Sequence, residues 1–388
     1  MFKVLKSGHC YSPADTGIKD ILIAGGKIYK IEDRFSGSLP FDIEIIDCRD
    51  RIVCPGFIDQ HVHITGGGGE QGPSSRVPEL MLGDVVSAGV TTLVGVLGLD
   101  AITRNMAELL AKAKSLQFEG LNTFVYTGNY CIPTATLTGR AMWDITFIDK
   151  VIGVGEIAIA DYRSSYPTIQ KLMELASETM IGGMVGQKAG VMHIHVGDGK
   201  DGLTVLFRLL EETDFPLSMF VPTHLNRNRR LFQQAMTYAD GGGFIDLTAG
   251  EKSEKGYSVP DAVACLSEAG INMEKVTVSS DGNGSMPGNN GEIVGVGKVR
   301  QLYDDIVSCI INRGINIETA IGMVTSNAAK VLKLYPAKGA IAEGSDADIL
   351  VLDKSDMTLD KVLIGGEIFL NNGRILKNGR FENADGKM

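Results

Sequence analysis

Six histidines occur in 388 residues, and five of them lie in three short apolar runs: His61-Val-His63, His193-Ile-His195 and Pro222-Thr-His224. In an extended chain alternate side chains share a face, so His61 and His63 can present two ring nitrogens to one metal ion. In the second run His195 stands nearer the end and is the better-placed ligand, whereas His193 reads as a buried core histidine. His224 alone would read as structural; beside the others it becomes a ligand candidate. Ser280-Asp281-Gly282 is either a turn signal or a metal-bound carboxylate acting as general base. Glu156 is the one charged group inside Val151-Ile-Gly-Val-Gly-Glu-Ile-Ala-Ile-Ala, and a buried carboxylate is costly unless it is paired or metal-bound. Two divalent ions held close together need a shared anionic bridge, and Glu156 is the candidate for it. The expected ligands are therefore His61, His63, Glu156, His195, His224 and Asp281. They would hold two divalent ions, with zinc the first expectation and manganese, cobalt or iron compatible. His9 falls outside these runs and reads as structural.

Residues so far apart meet only if the fold delivers them to one place. The middle of the chain alternates strand and helix. Strand-like runs cover 52–59, 90–97, 122–127, 151–160, 191–196, 219–224, 244–248 and 276–280, with helical patterns at 77–88, 104–117, 168–180, 203–212, 229–239 and 260–269. Eight such repeats predict a parallel barrel, whose strand ends all open on one face, where active sites sit. An open doubly wound sheet is the alternative, but no G-x-G-x-x-G opens a helix after the first strand. The first fifty residues and the last fifty read instead as short strands with Gly25-Gly26 and Gly365-Gly366 hairpin signals. Neither end can bury a core alone. The expected fold is α/β: a (β/α)8 TIM-like barrel over 53–336, with a small β-sandwich domain formed by 1–52 and 337–388.

A net charge of −10 argues against nucleic acid or an anionic membrane surface as partner. No apolar run approaches the length of a membrane span, and Met1-Phe-Lys-Val-Leu-Lys-Ser-Gly-His-Cys lacks a signal-peptide core, so a cytoplasmic location is the default. The six cysteines, at 10, 48, 54, 131, 265 and 309, form no C-x-x-C pair and read as reduced thiols.

Pro55-Gly-Phe-Ile-Asp-Gln-His-Val-His resembles the first-strand signature of the amidohydrolase superfamily. Gly339-Ala-Ile-Ala-Glu-Gly-Ser-Asp-Ala-Asp-Ile-Leu-Val-Leu-Asp is similar to that superfamily's return into its β domain. The nearer resemblance is to isoaspartyl (β-aspartyl) dipeptidases. It is carried by His61-Val-His-Ile-Thr-Gly-Gly-Gly-Gly-Glu-Gln-Gly-Pro, Tyr126-Thr-Gly-Asn-Tyr, Val151-Ile-Gly-Val, Asp161-Tyr-Arg-Ser, His195-Val-Gly-Asp, Pro222-Thr-His-Leu-Asn-Arg-Asn and Ser279-Ser-Asp-Gly-Asn-Gly-Ser. The resemblance implies a homo-oligomeric enzyme that cleaves β-aspartyl dipeptides. His61 and His63 would bind one zinc, His195 and His224 the other, and a metal-bridging hydroxide would attack the amide. Asp281 would take the hydroxide's proton and pass it to the leaving amine, while Tyr130 would donate to the oxyanion. Glu70 would hold the substrate ammonium, and Arg163, Arg227 and Ser285 its carboxylates. Gly68 and Leu99 carry over as pocket positions.

Two departures stand out. The family bridges its metals with a carbamylated lysine, and this fourth strand has no lysine. Glu156 takes that place if one residue is added near Gly155, and a shorter side chain there requires the strand to bulge inward or the metals to shift toward it. Leu99 replaces a threonine. A cyclic-amide hydrolase of hydantoinase or dihydroorotase type, or an N-acyl-amino-acid deacylase, is the competing activity; a scaffold without metal would be missing ligands, and none is missing. A direct consequence of the absent lysine is that metal-reconstituted apoprotein should reach the same activity with or without bicarbonate. A clear bicarbonate dependence in that assay would mean that a lysine elsewhere is carbamylated.

Overall fold

The structure is a computed structural model that describes residues 2–35, 42–252, 255–287 and 293–382. Eight parallel strands run in chain order: β1 (Phe57–Val62), β2 (Val90–Gly95), β3 (Asn122–Thr127), β4 (Val151–Ile159), β5 (Val191–Val196), β6 (Phe220–Thr223), β7 (Ile245–Thr248) and β8 (Val276–Ser279). Strands β1 to β6 form one hydrogen-bonded sheet, and β7 pairs with β8. Two sparser seams close the ring. The His63 N–H donates to the Gly282 carbonyl at 2.9 Å, and the Leu225 N–H donates to the Asp246 carbonyl at 3.3 Å.

A buried carboxylate reinforces both seams. Asp246 on β7 accepts from Gln60 of β1 at 2.8 Å, Thr223 of β6 at 2.7 Å, and Thr277 and Ser279 of β8 at 2.7 and 2.5 Å. It thus ties together the four strands whose backbone ladders are incomplete. Below it the barrel is filled by Ile58, Val94, Tyr126, Ile152, Val191 and Val221.

The chain ends form a nine-stranded sheet, mostly antiparallel, in which Arg51–Pro55 pairs with Ile349–Asp353. Two of its hairpins turn on Gly25-Gly26 and Gly365-Gly366, with positive φ at all four glycines, as a tight hairpin turn requires. Leu5, Ile21, Ile23 and Val53 from one end share a core with Ile349, Val351 and Leu363 from the other. Asp348 accepts from Lys338 at 2.8 Å and from Asn122 at 3.0 Å, which links this sheet to the barrel.

The expected strand at 52–59 divides at Gly56. Residues up to Pro55 belong to the end sheet, and a Cβ on Gly56 would stand 2.2 Å from Thr91 Oγ1. The expected helix at 77–88 contracts to Leu82–Val86, because the Val77 and Leu80 N–H groups bond the Gly67 and Ile64 carbonyls of the preceding loop. Four expected helices open on side-chain caps from Asn105, Thr168, Asn228 and Ser258. The helices Arg300–Arg313, Ile317–Met323 and Ser326–Val331 went unread. All six cysteines are free, and no described helix is long and apolar enough to cross a membrane.

Asp246→Ala would strand several buried donors at once, and each costs about 1–3 kcal/mol. Its denaturation midpoint should fall well below that of the parent protein. An unchanged midpoint would show that the seams do not depend on Asp246.

Candidate metal centre and substrate pocket

Strand β4 carries one extra residue where it meets β5. Val154 pairs with Met192 and Ile157 with Ile194, so Gly155 and Glu156 together face only His193. This bulge, of the kind that re-aims a side chain, presents Glu156 to the histidines of neighbouring strands. Glu156 Oε2 lies 3.4 Å from His61 Nε2, 3.1 Å from His195 Nδ1 and 3.7 Å from His224 Nε2. Its Oε1 lies 3.4 Å from His63 Nε2. Asp281 Oδ1 stands 3.1 Å from His63 Nε2 and 3.5 Å from His61 Nε2. All six expected ligands therefore meet at one spot. Five of them form two triads, His61–His63–Glu156 and Glu156–His195–His224, with Glu156 common to both, and Asp281 stands beside the first.

The donor set fits cations. Tetrahedral bonds of about 2.0–2.1 Å put two ligand atoms of one ion about 3.3 Å apart, close to these spacings. His61 Nε2, Glu156 Oε1 and Asp281 Oδ1, which face this spot, are buried with no hydrogen-bond partner among the described residues. Burial pushes the Glu156 carboxyl up, but the surrounding histidines, His61 first, outweigh it and hold the group well below its usual range. Burial likewise opposes ionisation of Asp281, and His63 and the other histidines overcome it. Burial and Arg227 push His224 down, keeping it neutral with a lone pair to give.

Three of the histidines are oriented from behind. His224 Nδ1 meets Thr248 Oγ1 at 2.7 Å, His195 Nε2 meets Asp161 Oδ2 at 2.9 Å, and His61 Nδ1 meets His193 Nε2 at 2.9 Å. The sequence marks neither Thr248 nor Asp161 as functional, although Asp161 opens the Asp161-Tyr-Arg-Ser segment. His193 is buried in the core as expected, yet it touches a ligand.

Above this floor, Gly68, Glu70, Leu99, Tyr130, Arg163, Arg227 and Ser285 all line one opening, together with His63, His195 and Asp281. Glu70 Oε1 accepts from Ser285 at 2.7 Å and Arg163 at 3.3 Å, while its Oε2 is buried without a partner among the described residues. Arg163 is more committed than expected. Its Nε and Nη2 grip Asp161 at 3.0 and 2.8 Å, and its guanidinium lies 5.3 Å from the centre of the Tyr130 ring. Arg227 has the looser partner, Glu251 at 3.9 Å. The Tyr130 hydroxyl sits 3.0 Å from His195 Nδ1, and burial, then Glu156, keeps its phenol protonated. Arg104, read only as a helix start, is buried and donates to the carbonyls of Thr65 and Val77, bracing the loop that carries Gly68 and Glu70.

The amidohydrolase family pattern matches residues 52–369, and the chain belongs to that family. Its branch is that of the β-aspartyl dipeptidases. The chain is 42% identical to the β-aspartyl dipeptidase of Fervidobacterium islandicum AW-1, with a TM-score of 0.91 over 98% of this chain and 100% of that one. For the same enzyme in complex with β-Asp-Leu the values are 43%, 0.93, 98% and 99%. Dihydropyrimidinase of Brevibacillus agri shares the fold at 16% identity and a TM-score of 0.71, over 98% of this chain and 97% of its own. Adenine deaminase 1 of Carboxydothermus hydrogenoformans is 24% identical over 94% of this chain, which spans 56% of that longer protein.

Because Glu156 is common to both triads, Glu156→Ala should lose bound divalent metal and activity together. Metal analysis showing full occupancy in that variant would remove Glu156 from the bridging position.

Proposed function

We propose that the chain hydrolyses the β-aspartyl (isoaspartyl) amide bond of dipeptides at a centre of two divalent ions, zinc first among them. The observation that carries this reading is the pairing, over one ligand-rich floor, of the free Glu70 carboxylate oxygen with the loosely held Arg227 guanidinium. A β-aspartyl dipeptide offers one ammonium and two carboxylates to such a pocket. A plain hydantoin offers neither charge, and dihydroorotate offers a carboxylate but no ammonium.

Bound ions would supply an acidified water and a polarised carbonyl. The protein's own groups do the rest. Glu70 receives the substrate ammonium on Oε2, with Ser285 and Arg163 fixing its other oxygen. Arg227 takes a substrate carboxylate in its guanidinium fork. Gly68 and Leu99 shape the wall. Asp281, held anionic, accepts the proton of the attacking water on Oδ1 and returns it to the leaving amine. Tyr130, kept protonated, donates to the oxyanion that forms as the carbonyl is attacked. Arg163 acts chiefly through Glu70 and Asp161.

The division into an end domain, 1–52 with 337–388, and a barrel, 53–336, belongs to this reading and is supported by the separate core of the end sheet, with the first boundary moved to Gly56 because Val53–Pro55 pair within that sheet. So do a homo-oligomeric state, a cytoplasmic location, and a small peptide rather than nucleic acid or membrane as partner, the last supported by the net charge of −10.

An activity panel tests the proposal. β-Asp-Leu should be hydrolysed, and α-Asp-Leu should be slower by about 100-fold or more, since the displaced carbonyl leaves charged groups unpaired. Turnover of a hydantoin or dihydroorotate without turnover of any β-aspartyl dipeptide would overturn it.

A further inference from the structure

We infer that His193 is a positioning residue for the metal centre: it fixes which nitrogen of His61 carries the proton, and so leaves the other nitrogen bare for a divalent ion. The inference rests on the reading of His61 as a metal ligand. His193 on β5 and His61 on β1 are both fully buried. His193 Nε2 lies 2.9 Å from His61 Nδ1, with the rings 4.9 Å apart and nearly perpendicular at 74°. His61 Nε2 points the other way, toward Glu156 at 3.4 Å and Asp281 at 3.5 Å.

A single proton lies between the two facing nitrogens. If His193 Nε2 held it, a neutral His61 would have to carry its own proton on Nε2, where the ion binds. If His61 Nδ1 holds it, Nε2 keeps its lone pair. Ion binding therefore selects the second arrangement: His61 Nδ1–H donates, His193 Nε2 accepts, and the His193 proton sits on Nδ1.

Packing keeps His193 in this place. The Tyr126 ring stacks on it at 5.2 Å and 20°. A Cβ on Gly155 would lie 2.8 Å from the His193 Cβ, so the bulge that presents Glu156 also makes room for His193. His193 thus stands to His61 as Thr248 stands to His224 and Asp161 to His195.

The test compares His193→Gln, whose amide oxygen can accept near the Nε2 position, with His193→Phe, which keeps the ring but has no acceptor. Zinc retention is measured by chelator competition, and the cobalt-substituted proteins are compared by absorption. His193→Phe should hold one ion about 10- to 100-fold more weakly and shift the cobalt bands. His193→Gln should remain close to wild type, with both metal-free variants melting alike. Wild-type retention in His193→Phe would overturn the inference. Equal weakness in both variants, with equal loss of stability, would mark a packing role and overturn it too. Should His193→Phe fail to fold, nitrogen-15 histidine spectra of the zinc-loaded wild type decide: a proton on His61 Nδ1 supports the inference, and a proton on His193 Nε2 overturns it. A wild-type protein that binds no divalent ion would instead overturn the metal reading of His61.

Discussion

A carboxylate buried among imidazoles governs this molecule. Glu156 is fully buried, and an isolated charge there would be expensive. It stays anionic because histidines from β1, β5 and the end of β6 surround it. Those histidines in turn are spaced by it: each triad of candidate ligands includes Glu156, and neither survives its removal. The centre is therefore a cooperative unit, in which no single strand carries a complete ligand set.

Holding such a unit requires a frame that does not breathe. The barrel's weakest seams lie beside β7 and β8, where the backbone ladder is short. Asp246 bridges them with four side-chain hydrogen bonds just below the histidines. The polar layer of the barrel thus serves the site twice over: it closes the ring, and it keeps the floor from shifting under the ligands. At the mouth the logic repeats with opposite sign. The buried Arg104 ties down the glycine-rich loop through its carbonyls, so that Glu70 meets substrate from a fixed backbone.

The eight strands and all six ligand candidates were legible in the sequence because both depend on local signals. Apolar runs mark barrel strands, and polar residues at the ends of those runs mark the open face. What escaped was set by contacts between distant segments. Gly56 separates a strand of the end sheet from β1, and Thr91 leaves no room there for a side chain; no pattern in 52–59 records either. Asp161, Thr248 and Arg104 look like ordinary loop, strand-end and helix-start residues until their partners are placed beside them. The resemblance implies that Arg163 holds a substrate carboxylate; Asp161, two residues away, grips its Nε and Nη2, a local pairing that the Asp161-Tyr-Arg163 spacing permits but does not reveal.

The bulge at Gly155–Glu156 connects these threads. A glutamate is too short to reach from a regular strand to the point where a carbamylated lysine would end. The extra residue in β4 shortens that distance by moving backbone rather than side chain. Backbone moved inward must have space, and Gly155, lacking a Cβ, lets β4 close against His193. Three residues therefore act together at this bulge: the glutamate, the glycine before it, and the histidine that fits against that glycine and lies 2.9 Å from His61. A glutamate placed on an unbulged strand would have the right charge at the wrong depth for the histidines that now surround it.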